Sequence, residues 1–252
     1  MIKTDWIKPR TRTWLKKLQK KHTQIEQGYF FVEGRKSAAR LLNAEMGIHL
    51  VAVTPSFFEK RGTVLRNYSG QVVIVRPNEW KGLARLKHNE GILVLAHRPP
   101  ILPALPLQGD RILLLDNIQD PTNLGSLLRI ADWFGITQLI ASPNTVDCYN
   151  SKVIQTSMGS FVDVRVSYTP LLPLLSIIQR PLIGASLSGD NLHQVELPAK
   201  ACLLLGNESK GIAPQLMPYL AQKIAIPAYG KAQSLNVAMA AAIFCNHWRQ
   251  SV

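Results

Sequence analysis

Three polar, glycine-containing segments in the second half of the sequence carry residue types that could bind a ligand or do chemistry. They are DNIQDPTNLG at 116–125, GNESKG at 206–211 and IPAYGKAQSLN at 226–236. Each follows an apolar stretch typical of a buried strand, and its glycines would let a ligand approach the backbone. Amide, carboxylate and hydroxyl groups beside such glycines can hold a polar ligand and align a reacting group.

Taken one at a time, the polar side chains in and beside these segments have ordinary structural explanations. Asn123 could cap the helix predicted to start next to it, a role that asparagine often fills. Glu208 could be a turn carboxylate, and Ser234 with Asn236 could form the cap and first turn of a long helix. Arg129 falls on the polar side of a predicted amphipathic helix, where an arginine is usually just solvated.

The elements that must position these segments alternate between strands and helices. Strand-like runs are predicted at 111–116, 137–141, 162–166, 182–185, 201–205 and 224–226, and helical patterns at 125–134, 151–158, 170–179, 214–221 and 235–249. This alternation predicts an α/β fold with an open, mostly parallel sheet covered by helices. Because ligands bind beyond the carboxyl ends of such strands, we expect the three segments to meet at that edge.

The first half of the sequence predicts a second, smaller α/β domain. Strand-like runs YFFVEG, HLVAVTP, QVVIVRP and GILVLAHRP alternate with helix-like segments at 37–43, 57–68 and 79–86. The following segment RPPILPALPLQGD contains four prolines and predicts an extended linker. We therefore expect a basic N-terminal arm at 1–27, a small α/β domain at 28–98, a proline-rich linker at 99–109 and a second domain at 110–252.

The net charge of +13 is concentrated at the N-terminal end. Residues 1–40 contain 11 Lys and Arg against 3 Asp and Glu, residues 41–98 contain 8 against 4, and residues 99–252 contain 10 against 9. A region this basic favours a polyanionic partner, most simply a nucleic acid, because each neutralised phosphate releases a counterion. A solubilising surface without a specific partner is the alternative.

Composition argues against several other classes of protein. The longest near-apolar run, Ala238–Cys245, is far shorter than the roughly 20 residues that cross a bilayer. The N-terminal MIKTDWIKPR has charges where a secretory signal needs an apolar stretch, so a cytoplasmic location is expected. Cys148, Cys202 and Cys245 lie far apart without a C-x-x-C pair, which predicts free thiols rather than a disulfide framework or a zinc site.

Together, in this order and spacing, the segments NIQDPTNLGSLLRIADWFG, LLLGNESKGI and IPAYGKAQSLNVAMAAAI resemble the three signature motifs of the SpoU/TrmH family of the SPOUT superfamily. Its members are S-adenosyl-L-methionine-dependent RNA 2′-O-ribose methyltransferases. The resemblance covers roughly residues 108–250, and the region around FFVEGRKSAARLL resembles the ribosomal-protein-like substrate-binding domain of rRNA-directed members. It implies a deep trefoil knot in the methyltransferase domain and a homodimer. We expect no metal ion, because methyl transfer develops no charge that a cation must bind.

The resemblance also implies roles for individual residues. The family's catalytic positions fall on Asn123, Arg129, Glu208, Ser234 and Asn236. Backbone groups that would hold the methyl donor fall on Ala185, Ser186, Gly206, Asn207, Glu208, Ile226, Pro227, Ser234 and Leu235. For Arg129 the resemblance implies action as the general base. Because arginine holds its proton tightly, we expect it to bind and orient a phosphate as its minimum role, with general-base action as a further hypothesis. Gln155 departs from the family pattern, in which many members have an arginine close by.

Two classes of function stay open on the sequence. In the first, the protein is an RNA 2′-O-methyltransferase; in the second, it is a methylase-like RNA-binding assembly factor without activity. The complete polar set favours the enzyme, because a binding-only relative would be free to lose it. Within the enzyme class, the separate basic N-terminal domain favours rRNA over tRNA, since tRNA-directed relatives resemble a catalytic core with short extensions.

Overall fold

The computed structural model of the 252-residue chain describes residues 4–85, 90–100 and 102–250. The chain divides into two compact units. One unit contains residues 1–100 and 149–162, and the other contains residues 101–148 and 163–252. The segment 149–162, which lies inside the second domain expected from the sequence, therefore belongs to the N-terminal unit.

The N-terminal unit is built around a five-stranded sheet with the order β1-β4-β3-β5-β2. Its strands β1 to β5 are Thr4–Trp6, Tyr29–Glu33, Ile48–Val53, Val72–Ile74 and Ile92–His97. Its helices α1 to α5 are Pro9–Leu18, Lys21–Glu26, Arg35–Leu42, Pro55–Arg61 and Pro77–Trp80. β1, β4 and β3 pair in parallel, and β5 is antiparallel to both β3 and β2.

The basic stretch expected as an arm is, over its described part, built into this unit. β1 pairs with β4, and Leu15 and Leu18 of α1 are fully buried against the sheet. The leucines of the sequence PRTRTWLKKL hold the helix to the core while Arg10, Lys16 and Lys17 are exposed and Arg12 pairs with Glu79. Basic residues in this stretch are therefore displayed from a folded helix.

Two of the helices expected in this unit are shorter in the structure. The segment predicted at 57–68 ends as an α-helix at Arg61 and continues as a 3₁₀-helix over Gly62–Leu65. The segment predicted at 79–86 is helical only to Trp80; its last residue lies outside the described residues. Glycines close to both ends, at 62 and 82, lower the helix propensity there.

The segment 149–162 contains α7, Ser151–Ser157, and packs on β2 through aromatic rings. Phe30 is fully buried, with its ring 4.6 Å from that of Tyr149 and 5.9 Å from that of Phe161. The Arg98 guanidinium lies 4.9 Å from the centre of the Tyr149 ring. Burial of these large side chains stabilises the association of the segment with the N-terminal unit.

The second unit contains a six-stranded sheet with the order β11-β9-β10-β6-β7-β8. Its strands β6 to β11 are Arg111–Leu115, Gln138–Ala141, Arg165–Tyr168, Leu182–Asn191, Ala201–Leu205 and Gln222–Ala225. Its helices are α6, Pro121–Trp133, α8, Leu171–Leu175, and α9, Val237–Gln250. All of its described strand pairs are parallel, so the predicted α/β fold with a mostly parallel sheet is confirmed.

Two of the helices expected in this unit are shorter in the structure. The helix predicted at 170–179 is reduced to α8, which ends at Leu175; Pro173 lies in its first turn, where proline is tolerated, and does not account for this end. The segment predicted at 214–221 is a 3₁₀-helix over Pro214–Tyr219, with Pro218 inside it. A proline inside a helix removes a backbone donor and clashes with the preceding turn, which explains why this segment is not an α-helix.

The C-terminal helix α9 is anchored at its far end. The Trp248 side chain is fully buried, and its Nε1 donates a hydrogen bond of 2.7 Å to the Pro198 carbonyl. α9 also packs against α6. α9, which follows the polar segment 226–236, is therefore fixed along its length.

The three cysteines are free and buried. Burial raises the pKa of the Cys202 thiol to about 11 and that of the Cys245 thiol to about 12. Both thiols therefore stay protonated at neutral pH. Over the described ranges, the structure has no helix long and apolar enough to cross a membrane.

Candidate active site

The three polar segments follow β6, β10 and β11, at the carboxyl ends of parallel strands. β6 and β10 are neighbours, and the Asp116 amide donates a 2.9 Å hydrogen bond to the Leu205 carbonyl where the two strands end. The Asp116 carboxylate accepts a hydrogen bond from the Ala213 amide, and the Asn207 side chain donates one to the Asn117 carbonyl, both 2.8 Å long. The first two segments are thus joined at the predicted edge of the sheet.

A chain of side-chain hydrogen bonds connects all three segments. Asn236 Nδ2 donates to Asn123 Oδ1 over 2.8 Å, and Asn123 Nδ2 donates to Glu208 Oε1 over 2.7 Å. Asn123 is only 6% exposed, so its amide needs partners inside the protein. We refer to these three residues as the Asn–Glu–Asn network.

The local sequence explains why Asn123 is available for this network. Asp120 is the N-cap of α6, where its carboxylate accepts a 2.6 Å hydrogen bond from the Thr122 amide, and Pro121 occupies the first helical position. Asn123 therefore does not cap the helix. Its side chain is buried in the first turn of α6 and donates its hydrogen bond to Glu208.

Asn236, in contrast, does have the structural role that its position suggested. Its Oδ1 accepts hydrogen bonds from the Ala238 amide at 2.9 Å and the Met239 amide at 3.4 Å, at the start of α9. The oxygen of the side chain caps the helix while its nitrogen binds Asn123. The two explanations offered by the sequence for Asn236 are compatible.

The loop after β10 is closed by its own backbone. Asn207 and Gly211 exchange two backbone hydrogen bonds of 3.0 and 2.9 Å, and Gly211 has a φ of +68° that favours glycine. A Cβ atom on Gly206 would lie 2.2 Å from the carbonyl carbon of Gly211. The loop can adopt this shape only with glycine at both ends, and the shape holds Glu208 beside Asn123.

A cavity of about 920 Å³ opens beside this loop. Its lining includes all nine residues that the resemblance assigns to the methyl donor: Ala185, Ser186, Gly206, Asn207, Glu208, Ile226, Pro227, Ser234 and Leu235. Sequence reasoning placed these residues on four separate stretches of chain. The structure brings them to one surface.

Sequence reasoning missed the apolar part of this lining. Val237, Ala240 and Phe244 of α9 line the cavity, as do Leu187, Met217 and Tyr229 from three other segments. The spacing of 237, 240 and 244 is that of one helix face and could have identified the first three. The other three have no comparable pattern in the sequence.

The predicted site residues do not all lie on the cavity. Glu208 and Ser234 line it, whereas Asn123, Arg129 and Asn236 are not among its described lining residues. Arg129 is exposed on α6, and within the described chain it has no hydrogen-bond or ion-pair partner. The structure therefore joins Asn123, Glu208 and Asn236 directly and leaves Arg129 presented to solvent.

Among residues 4–85, 90–100 and 102–250, no group of three or more His, Cys, Asp and Glu side chains is arranged to hold a metal ion.

Comparison with known proteins extends these observations. Residues 110–246 match the SpoU rRNA Methylase family. The chain is 33% identical over 144 residues to the 23S rRNA guanosine 2′-O-methyltransferase RlmP of Bacillus subtilis. That match covers 55% of this chain and 58% of the relative, so the chain spans less than two thirds of the relative's length.

Solved structures match nearly the whole chain. A protein from Porphyromonas gingivalis assigned to the TrmH family of RNA methyltransferases is 28% identical, with a TM-score of 0.86 over 98% of this chain and 99% of that one. The AdoMet-bound rRNA methyltransferase from Sinorhizobium meliloti is 21% identical, with a TM-score of 0.84 over 100% and 98%. The second likeness, at that identity, establishes the fold alone.

The Asn–Glu–Asn network predicts a pH-dependent defect for Asn123→Asp. The substitution replaces the donor to Glu208 by a second carboxylate, and we expect the free energy of unfolding to fall by about 1–3 kcal/mol at pH 7–8. Two adjacent carboxylates repel each other, so one of them takes up a proton in the folded state at a higher pH than it does in the unfolded chain. The loss of unfolding free energy should therefore be largest at pH 7–8 and should shrink as the pH falls toward about 4.

Urea unfolding between pH 4.5 and 8 measures this difference. The exposed Asn67→Asp variant is the matched control, and its stability should follow that of the wild type at every pH. A loss for Asn123→Asp that is the same at all pH values would contradict the proposed contact with Glu208.

Proposed function

The chain belongs to the SpoU rRNA methylase family, and from this premise we propose that it transfers a methyl group from S-adenosyl-L-methionine to a ribose 2′-hydroxyl of ribosomal RNA. The match confirms the family resemblance of the three motifs. The observation that carries the proposal is their convergence: the second and third segments line one cavity, and the Asn–Glu–Asn network joins the first segment to both.

The residues around the cavity fit the proposed cofactor. The cavity of about 920 Å³ lies within the range of roughly 300–1,000 Å³ found for small-molecule sites. Its wall combines glycine backbone at 206 and 230 with an apolar surface from α9, including Val237 and Phe244. Backbone groups can bind the polar parts of S-adenosylmethionine, and the apolar surface can pack against its adenine base. S-adenosylmethionine, when bound, supplies an electrophilic methyl group on a sulfonium.

The protein's own groups would align the ribose hydroxyl, which is the nucleophile, with the donor bound in the cavity. A ribose hydroxyl is a poor nucleophile, so its orientation and the removal of its proton limit the reaction. The exposed guanidinium of Arg129 can bind an RNA phosphate through its planar set of donors and thereby place the adjacent ribose. Glu208 and Asn123 would keep the donor loop in shape, with Ser234 on the cavity wall and Asn236 fixing the start of α9.

The charge distribution supports RNA as the substrate. Residues 1–98 carry a net charge of +12 out of the total of +13, and most of them form the N-terminal unit. We assign this unit to substrate binding. The name of the Bacillus subtilis relative describes action on a guanosine of 23S rRNA, which favours rRNA over tRNA for this chain. A tRNA substrate, or RNA binding without catalysis, is the alternative outcome of the test below.

The family resemblance extends the proposal to chain topology and location. A deep trefoil knot in the second unit is compatible with the strand order β11-β9-β10, in which the chain leaving β10 must pass β9 before it rejoins the sheet. The ribosomal-protein-like character of the N-terminal unit and a cytoplasmic location belong to the same proposal. No metal ion is assigned a role in it.

A homodimer is the proposed assembly. α6 and α9 pack together, yet each exposes a large apolar side chain: Trp133 of α6 is 85% exposed and Met239 of α9 is 62% exposed. Exposed large apolar side chains on neighbouring helices are typical of a surface that a partner covers. A second copy of the chain is the occupant that the family resemblance implies.

Donor binding should need no divalent ion and should depend on the shape of the loop after β10. We expect calorimetry in chelator-treated buffer to show S-adenosylmethionine binding to the wild type. Gly206→Ala should weaken it at least about tenfold, because its Cβ would meet backbone of the same loop 2.2 Å away. Gly62→Ala is the matched control, since Gly62 lies outside the cavity and a Cβ there would make only an ordinary contact, the nearest atom being 3.7 Å away. Equal affinity of the two variants would contradict the proposal.

Arg129→Ala should reduce methyl transfer by on the order of 100-fold or more while leaving stability and donor affinity nearly unchanged. Arg129 is exposed, so its truncation opens no cavity. Single-turnover transfer of labelled methyl to transcribed rRNA fragments, with tRNA in parallel, measures the effect and identifies the substrate class.

Arg129→Lys separates the two roles considered for this residue. Lysine keeps the charge without the planar guanidinium, so it should restore part of the rate if Arg129 anchors a phosphate and none if it acts as a guanidine base. A near wild-type rate for Arg129→Ala would overturn the assignment. Transfer to neither RNA by the wild type would favour the assembly-factor alternative.

The dimer proposal predicts that Met239→Glu shifts the protein to a monomer at micromolar concentration, because the substitution would bury a charge in the interface. Sedimentation equilibrium measures the mass of both proteins. Leu172→Glu in α8, at a leucine that is 41% exposed, is the control and should keep the wild-type mass. A monomeric wild type with full activity would show that the dimer is not needed.

A further inference from the structure

Four aromatic rings meet at one end of the sheet in the N-terminal unit, outside the site described above. The Tyr29 ring lies 4.8 Å from that of His97 and 5.1 Å from that of His49. Trp14 of α1 completes the group, with its ring 5.3 Å from that of His49. We call these four residues the aromatic cluster.

The backbone explains why these rings share one face. Tyr29 and His97 are paired across β2 and β5, two residues beyond Phe31 and Leu95, which belong to the apolar core of that face. The ladder between β3 and β5 changes register between Ile48 and Leu50, which leaves His49 at the irregularity. The aromatic cluster is therefore the rim of the core.

This rim is more polar than packing alone requires. Two imidazoles stand where aliphatic side chains would continue the core, and the pKa of His49 is lowered by burial and by the nearby His97. His49 is therefore neutral at pH 7, and its Nδ1 lies 3.4 Å from the Tyr29 hydroxyl. Trp14 is held in place by a 3.2 Å hydrogen bond from its Nε1 to Gln27. Rings fixed in this way can receive a flat partner at little entropic cost.

A cavity of about 380 Å³ opens onto the aromatic cluster. It is lined by Arg10, Thr11, Trp14, His49, Leu50 and Gln71. Aromatic faces, a hydroxyl, an amide and a guanidinium are thus combined on one small surface, and no carboxylate is among its described lining residues. The helix that supplies three of the lining residues, α1, contains four basic residues and no acidic one.

We infer that this cavity binds an unpaired nucleobase of RNA, stacked on the rings of Trp14 and His49, with an adjoining phosphate on Arg10. Stacking on aromatic rings accepts any base, because every base has a π face, and the amide of Gln71 and hydroxyl of Thr11 can bond to the edge of the base. The inference rests on the proposed function, which makes RNA the substrate, and it assigns to the N-terminal unit a contact with a single-stranded nucleotide.

Binding of a labelled single-stranded RNA octamer to the full chain, without methyl donor, tests the inference by fluorescence anisotropy. Trp14→Leu should weaken binding roughly 5- to 100-fold, the range associated with one stacked base. Arg10→Gln, at an exposed position where a substitution should change stability little, should weaken it and lower the salt dependence by about one phosphate contact. Trp6→Leu and Arg66→Gln are the matched controls at exposed positions and should bind as the wild type does.

Photocrosslinking of the wild type to the same octamer carrying 5-iodouridine locates the base directly. We expect the crosslinked peptide to contain Trp14 or His49. Crosslinks only at other aromatic residues, or unchanged binding by both Arg10→Gln and Trp14→Leu, would overturn the inference. If these results coincide with normal rRNA methylation by the wild type, the inference fails and the proposed function stands. If the octamer depends on Trp14 but no RNA is methylated, the proposed function fails instead.

Discussion

The side-chain amide of Asn123 is the interaction on which the arrangement of the site depends. It is buried and donates to Glu208 in the loop after β10 while it accepts from Asn236 at the start of α9. An amide offers both functions at a fixed angle, which a carboxylate or a hydroxyl of similar size does not. The helix α6 holds this amide through its own cap at Asp120, so local helix chemistry sets the position of two distant segments.

The parallel register of the sheet brings those segments within reach of one another. β10 ends at Leu205 directly opposite Leu115 at the end of β6, so the two following loops start side by side. The closed loop of 206–211 then turns Glu208 back toward α6 instead of out into solvent. Strand register, a glycine-dependent loop and one buried amide account for the part of the cavity wall that residues 206–211 form.

The sequence predicts those parts of the structure that depend on local pattern. The alternation of apolar runs gives the parallel sheet, and the apolar stripe of α6 leaves Arg129 exposed. Contacts between distant residues were not predictable: nothing near Asn123 identifies Glu208, 85 positions away, as its partner. The apolar stretch interrupted by Pro218 predicts an α-helix that proline geometry does not allow. The register shift near His49 could not be predicted either, because the alternation of apolar and polar residues along a strand does not reveal such an irregularity.

Because the segment 149–162 belongs to the N-terminal unit, the two units cannot be separated or exchanged at a single point in the chain. The chain passes between the two units three times, after residues 100, 148 and 162, because α7 and its neighbours pack on β2. A single cut cannot release either unit whole, since Phe30 would lose the rings of Tyr149 and Phe161 that cover it. Exchange of the N-terminal unit between relatives by one gene fusion would therefore leave an exposed apolar surface on both products, and the two units are expected to be inherited together.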